Sequence, residues 1–278
     1  MIALGKTCTL PVVKIVDFGY YLDAKHLGEI LLPNKLAKKT FNLGDEVTVF
    51  LYLDSKDRPV ATMQKPKAEI GQFAYLKVTQ TTDFGAFVDW GLDKDVFVPV
   101  KEQKRPMEED QSYLVYIYQD KLDQRVVASA KIDKFLDNEP ANYKAGQAVD
   151  LIIANTTDLG FKAIIDHKHW GVLYRGDVFQ RLSFGQYKKG FIKHVRADGK
   201  IDLTLQGGQE TRDKYAKIIE NYLAKNNGYA AVHDKSDPEL IYQTFGMSKA
   251  AFKRSIGGLY KAGIITIEKQ GIRLNQKD

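Results

Sequence analysis

The feature that most constrains this chain is an internal repeat. Gly5, Gly71 and Gly146 each open a segment. Asp17-Phe18-Gly19, Asp83-Phe84-Gly85 and Asp158-Leu159-Gly160 follow at matching places, and so do Pro33, Pro99 and Tyr174. The first and second copies are offset by 66 residues at every landmark, and the second and third by 75. A constant offset means that the elements keep their lengths, so one supersecondary plan recurs three times. The copies also close alike, with VTVFLYLDSKDRPVATM, YLVYIYQDKLDQRVVASA and GFIKHVRADGKIDLTLQ, each a β-rich run, a polar turn and a second β-rich run. That is a hairpin signature. Adding one strand after the opening Gly and two around the Phe-Gly element gives five strands per copy. Five short strands in roughly 70 residues predict an OB-type barrel, a fold that binds oligonucleotides on its second and third strands.

The middle copy states the pattern best, in TTDFGAFVDWGLDKDVFVPV (81 to 100). Phe84 and Phe87 flank Gly85 at a spacing of three, which strict alternation would place on opposite faces. A bulge at the Gly would bring both rings to one face, where they would form a stacking platform for bases. The competing reading is that both rings fill a barrel core.

In the order Gly, strand, (Asp)-Phe-Gly-x-Phe/Tyr, short apolar strand and closing hairpin, the chain resembles the S-one RNA-binding domain, named after a ribosomal protein. GQFAYLKVTQTTDFGAFVDW with DVFVPV carries the resemblance best, LPVVKIVDFGYYLDA with EILLP and VDLIIANTTDLGFKAII with WGVLYR more loosely. Many such domains place a His on the third strand where this chain has Pro33, Pro99 and Tyr174. The third copy departs further, with Leu159 and Lys162 at the two ring positions, while offering Phe161, Trp170 and Tyr174.

From Gln209 the period changes from strand to helix. Tyr215, Ile218, Ile219, Tyr222 and Leu223 are spaced at three and four. Asp237-Pro238 predicts an N-cap and first turn for a second helix through Phe245. Ser248 caps a third helix, and IITIEKQGIRLN closes as a hairpin. Two helices, a tight turn, a third helix and a hairpin predict a winged helix. On the third helix Phe252, Ile256, Leu259 and Tyr260 are expected to face the core, leaving Ala250, Arg254, Gly257 and Lys261 on the open face. Three such copies with this tail resemble the conserved virulence factor B family of bacterial RNA-binding proteins. The resemblance implies a regulatory role in gene expression and virulence, exerted on RNA.

The fold expected is therefore three tandem five-stranded OB-type β-barrels (1–68, 69–138 and a degenerate 139–208) followed by an α+β winged helix (209–278). The candidate RNA-binding residues are Phe18, Tyr21 and Lys14; Phe84, Phe87, Lys77 and Arg125; Phe161 and Tyr174; and Arg254 and Lys261. Net charge is +6, a basic bias suited to a polyanion, yet unevenly spread. Residues 69–138 carry 9 basic and 13 acidic groups, and 209–278 carry 12 and 8.

The single cysteine, Cys8, excludes an internal disulfide and a Cys-rich zinc site. No run of about 20 apolar residues is present, so no membrane association is expected, and the chain reads as a cytoplasmic protein and a monomer. P-loop, dinucleotide, nucleophile-elbow and HExxH motifs are missing, so neither an enzyme nor a cofactor is expected. Asp166, His167 and His169 are the one cluster of metal-type ligands. On a strand the two His would point the same way, the basis of a metal-nuclease alternative, though the expectation is no metal. The expected partner is single-stranded RNA. Two other readings stay open: a transcription-linked regulator whose winged helix binds duplex DNA, and a protein-interaction scaffold.

Overall fold

A computed structural model describes residues 2–122, 124–178, 180–205 and 208–275, the stretch 208–214 for its backbone alone. The chain divides into two compact units, 1–136 and 137–278. The first holds two closed barrels. Strands β1 (Thr7–Val16), β2 (Gly19–Asp23), β3 (Glu29–Pro33), β4 (Glu46–Leu53) and β5 (Pro59–Thr62) form one; β6 (Phe73–Thr82), β7 (Gly85–Asp89), β8 (Val96–Pro99), β9 (Ser112–Gln119) and β10 (Val126–Ser129) form the other. The second unit holds a third barrel, β11 (Ala148–Thr157), β12 (Gly160–Ile165), β13 (His169–Tyr174), β14 (Tyr187–Val195) and β15 (Ile201–Thr204), and a helical domain. In each barrel the third strand pairs in parallel with the fifth and closes the cylinder.

The offsets of 66 and 75 have a hydrogen-bonding cause. Gly5, Gly71 and Gly146 sit at φ +75, +88 and +83, where a side chain is strained, and donate their N–H groups to the carbonyls of Leu51, Ile117 and Ile192 on the fourth strands. Gly19, Gly85 and Gly160 pair across the sheet with Pro33, Pro99 and Tyr174. A Cβ at any of these three would collide with the facing carbonyl of Leu32, Val98 or Leu173. The repeated Gly is thus demanded by close approach of two strands.

The bulge expected at Gly85 lies elsewhere. The first strand of each barrel skips one residue of its ladder, between Val12 and Lys14, Val78 and Gln80, and Ile153 and Asn155. Beyond the skip the strand runs clear of the core: Thr79–Thr82 are all exposed. Phe84 accordingly stands in the hairpin turn, not in a strand.

The helical domain comprises α1 (Gly208–Lys225), a short strand β16 (Tyr229–Ala230), α2 (Pro238–Phe245), α3 (Lys249–Lys261), β17 (Ile265–Ile267) and β18 (Ile272–Leu274). Asp237 and Ser248 cap α2 and α3 as expected, accepting from Glu239 and Ala251 N–H groups, and Gly246 ends α2 in the left-handed conformation. The strand β16 joins β18 in a three-stranded sheet, an element too short to leave a periodic signal. Helix α1 begins at Gly208, one residue before the change of period expected at Gln209.

Ile219 and Leu223 of α1 meet Phe252, Ile256 and Leu259 of α3 in one core. Tyr260 does not join them; it is 56% exposed. Ala251 and Ser255 are buried in its stead. The buried stripe of α3 therefore runs through Ala251, Phe252, Ser255, Ile256 and Leu259, away from Tyr260. Among the described residues no helix is long and apolar enough to cross a membrane.

Candidate nucleic-acid interface

At the tip of each first hairpin one large apolar side chain is presented to solvent: Phe18 (59% exposed), Phe84 (80%) and Leu159 (63%). Their backbone carbonyls accept from the N–H groups of Asn34, Val100 and Arg175, each at 3.0 Å, so the turn is tied to the end of the third strand. In the second barrel Thr82 Oγ1 also accepts from the Phe84 N–H (3.3 Å). A large apolar ring held outward by a pinned turn adds little to the core of the folded chain, and contact with another molecule is what it offers.

Phe84 is one wall of a groove of about 610 Å³ in the first unit. Phe87 and Phe97, paired across β7 and β8 with ring centroids 5.1 Å apart, are part of the lining, as are Trp90 and Leu122. The other wall comes from the first barrel, through Tyr52, Leu53 and Asp57. The two barrels can share a groove because they share a core. Phe50 packs edge-on against Trp90 at 5.4 Å, the Gly5 carbonyl accepts from Ile70 N–H at 3.0 Å, and one apolar cluster runs through both cylinders.

Among the described residues, the charges that line the groove are balanced. Lys94, Lys101 and Arg125 line it together with Asp57, Asp95 and Asp120. Asp57 binds Lys94 at 2.9 Å and Arg125 at 2.7 Å. The Lys94 hydrogen bond, with Arg125 beside it, holds the Asp57 carboxyl below the usual carboxylate range. Other acidic groups of residues 69–138 are paired in the same way, Asp89 with Lys67, Asp110 with Lys77, Asp133 with Lys104 and Glu102 with Lys134.

The candidates fall into three groups. Phe84, Phe87 and Arg125 are brought together in the groove. Lys77 is not among its lining; it is paired with Asp110 at 2.7 Å, which raises its pKa. Phe18 and Tyr21 hold the corresponding positions on the first barrel, with Lys14 at 5.7 Å from the Tyr21 ring centre. In the third barrel Lys162 replaces the second ring and lies 3.8 Å over Trp170, covering that face. Phe161 packs against the third core, and the Tyr174 hydroxyl accepts from the Arg196 guanidinium.

Arg254 lines a second cleft, of about 620 Å³, together with Lys193, Lys249, Lys253, Asp177 and Thr204, so that α3 and the third barrel face one space. Lys261 is exposed outside that lining. Sequence reasoning missed Trp90, Lys94, Phe97 and Asp57. Phe97 was recoverable, since it stands opposite Phe87, but contacts between barrels leave no spacing signal.

The pairing of His167 and His169 that the metal-nuclease alternative requires is not found. Asp166 and His167 form a left-handed turn (φ +46 and +58), and His169 is buried on β13, where its Nδ1 meets the Tyr143 hydroxyl at 3.0 Å and its Nε2 the Glu139 carbonyl at 2.8 Å. Among the described residues no three His, Cys, Asp or Glu are placed to hold a metal.

Comparison with known proteins agrees with this architecture. The model of the S1 domain matches residues 4–64 and 70–131, and that of the CvfB-like winged helix domain matches 217–274. The chain is 31% identical to the uncharacterized protein YitL of Bacillus subtilis, over 93% of this chain and 89% of that one. It is 28% identical to conserved virulence factor B of Staphylococcus epidermidis, over 85% and 82%. A crystal structure of a multidomain protein with nucleic acid binding domains from Streptococcus pneumoniae covers 98% of both chains at 26% identity, with a TM-score of 0.41. With S1-type barrels in tandem, a CvfB-like winged helix behind them and a relative of this closeness along nearly its whole length, the chain belongs to the CvfB-like family of nucleic-acid-binding proteins.

Proposed function

We propose that the protein binds single-stranded RNA without catalysing a reaction, chiefly in the groove of the first unit, and regulates gene expression through that binding, including virulence functions as the name of its staphylococcal relatives suggests. The observation that carries the reading is Phe84, 80% exposed on a pinned turn beside Phe87 and Phe97. Bases in a duplex already stack on each other; unpaired bases present free faces, and each base stacked on a ring contributes about 1 to 3 kcal/mol. Phe18 and Tyr21 extend the path on the first barrel. The cleft between α3 and the third barrel adds phosphate contacts through Arg254 and its neighbouring lysines. Weak sites on one chain reinforce one another through raised effective concentration. The protein acts on this reading as a cytoplasmic monomer.

A duplex-DNA role for the winged helix is the weaker reading. A recognition helix must enter a major groove about 12 Å wide. The N-terminal half of α3 instead shares its cleft with Lys193, Asp177 and Thr204 of the barrel. Titration of the full chain with one sequence as single-stranded RNA, single-stranded DNA and duplex decides the matter. Tightest binding to the single-stranded RNA is expected; equal or tighter binding to duplex DNA overturns the proposal.

A further inference from the structure

The β4–β5 turn of the first barrel reaches into the binding groove of the second. Asp54 organises that turn: its Oδ1 accepts from the N–H groups of Lys56 (2.8 Å) and Arg58 (3.0 Å), its Oδ2 binds the Arg58 guanidinium at 2.7 Å, and its carbonyl accepts from Asp57 N–H at 3.0 Å. The fold so made places Asp57 at φ +57, a conformation Asp and Asn tolerate better than other side chains. Its carboxylate then meets Lys94 and Arg125, and the Lys94 ammonium donates to the Asp54 carbonyl as well, at 2.9 Å. Two of the three cations lining the groove are therefore committed to a carboxylate that comes from the neighbouring barrel.

An RNA phosphate needs the same donors. We propose that Asp57 is a specificity-determining residue: it competes with phosphate for Lys94 and Arg125, keeps the groove electrically balanced, and so leaves base stacking on Phe84, Phe87 and Phe97 to decide what is bound. A groove with free cations would attract any polyanion, duplexes included, because phosphate contacts carry no information about pairing or sequence. With the cations occupied, a ligand gains little from charge alone and must bring unpaired bases. The first barrel thereby sets the selectivity of the second. This inference rests on the single-strand reading given above.

The test uses the full chain and its Asp57→Asn and Asp57→Gly variants, both compatible with the left-handed turn, each checked for an unchanged thermal transition. Binding of a short oligouridylate and of an RNA hairpin duplex is measured by fluorescence anisotropy across a salt series. Loss of the carboxylate should tighten oligouridylate binding about fivefold at about 0.1 M salt and steepen the slope of log K against log salt by about 0.7, the amount for one more phosphate contact on a single strand. The duplex should gain at least as much, so that the preference for the single strand narrows. Unchanged or weakened binding with an unchanged slope in both variants overturns the role of Asp57. A parallel Phe84→Ala, Phe87→Ala variant keeps the two ideas apart. If that variant binds as tightly as wild type, the stacking reading is what has failed; if it binds weakly while the Asp57 variants do not steepen the slope, only the role of Asp57 has failed.

Discussion

At the tip of its first hairpin the second barrel presents the ring of Phe84 and the third presents the branched chain of Leu159, on carbonyls that accept the same hydrogen bond at 3.0 Å. One turn of sequence later Phe87 faces Phe97 in the second barrel, whereas in the third Lys162 faces Val172 and lies over Trp170. At the end of the third strand Pro99 in one barrel corresponds to Tyr174, held by Arg196, in the other. The backbone plan and the display on it have thus separated. Glycines, bulges and cross-strand pairs keep the barrel closed in both copies, and the positions that point outward are free to carry rings in one and a cation in the other. A fold can be read from the first set of residues; a binding function has to be read from the second.

The comparison breaks most visibly if the scaffold is not in fact shared. Gly85→Ala and Gly160→Ala would each drive a methyl into a backbone carbonyl across the strand pair, at φ values of +157 and +149. Each is expected to destabilise its unit by about 2 to 5 kcal/mol, from strain and overpacking together. Urea unfolding followed separately for the two units measures this. A barrel that tolerates its substitution does not depend on the close strand approach.

The display is tested next. Phe84→Ala with Phe87→Ala should weaken single-stranded RNA binding by at least about tenfold with little change in folding, while Leu159→Ala with Lys162→Ala should leave it within about twofold. Loss of the thermal transition in the first variant would mean that the rings fill a core. A graft sharpens the point: Leu159→Phe with Lys162→Phe removes the ammonium over Trp170 and adds two rings, and should raise affinity for a long RNA several-fold, about 1 kcal/mol, if the platform is portable. No gain in isothermal titration would tie the site to the groove walls as well as to the rings. Arg254→Ala is expected to cost about fivefold for a long RNA at about 0.1 M salt and to make the slope shallower by about 0.7, with a short oligomer unaffected.

How much of this the sequence displays follows from which interactions are local. The three barrels, their strand count and the caps at Asp237 and Ser248 leave offsets and turn residues that can be read directly. The bulge does not: Thr79 is an ordinary strand residue, whereas Gly85 looks like a bulge and is a close-packing residue. Tyr260 lies on the apolar arc of its helix by angle, but the buried arc is centred instead on a stripe that includes the small residues Ala251 and Ser255. The groove is the least legible feature. Trp90 and Phe97 belong to one barrel and Tyr52 and Asp57 to the other, 33 to 45 positions away in the chain, and contacts between the barrels, such as the packing of Phe50 on Trp90, make them neighbours.

The central claim is that unpaired RNA bases stack on the rings of the second barrel. Ultraviolet crosslinking of the full chain to single-stranded RNA, followed by mapping of the modified peptides, tests it most directly, since crosslinks form where bases touch side chains. The account predicts principal crosslinks on the peptides that carry Phe84, Phe87 and Phe97, lost in competition with unlabelled single strand and kept in competition with duplex. Crosslinks confined to residues 137–278, with those peptides unmodified, would contradict it.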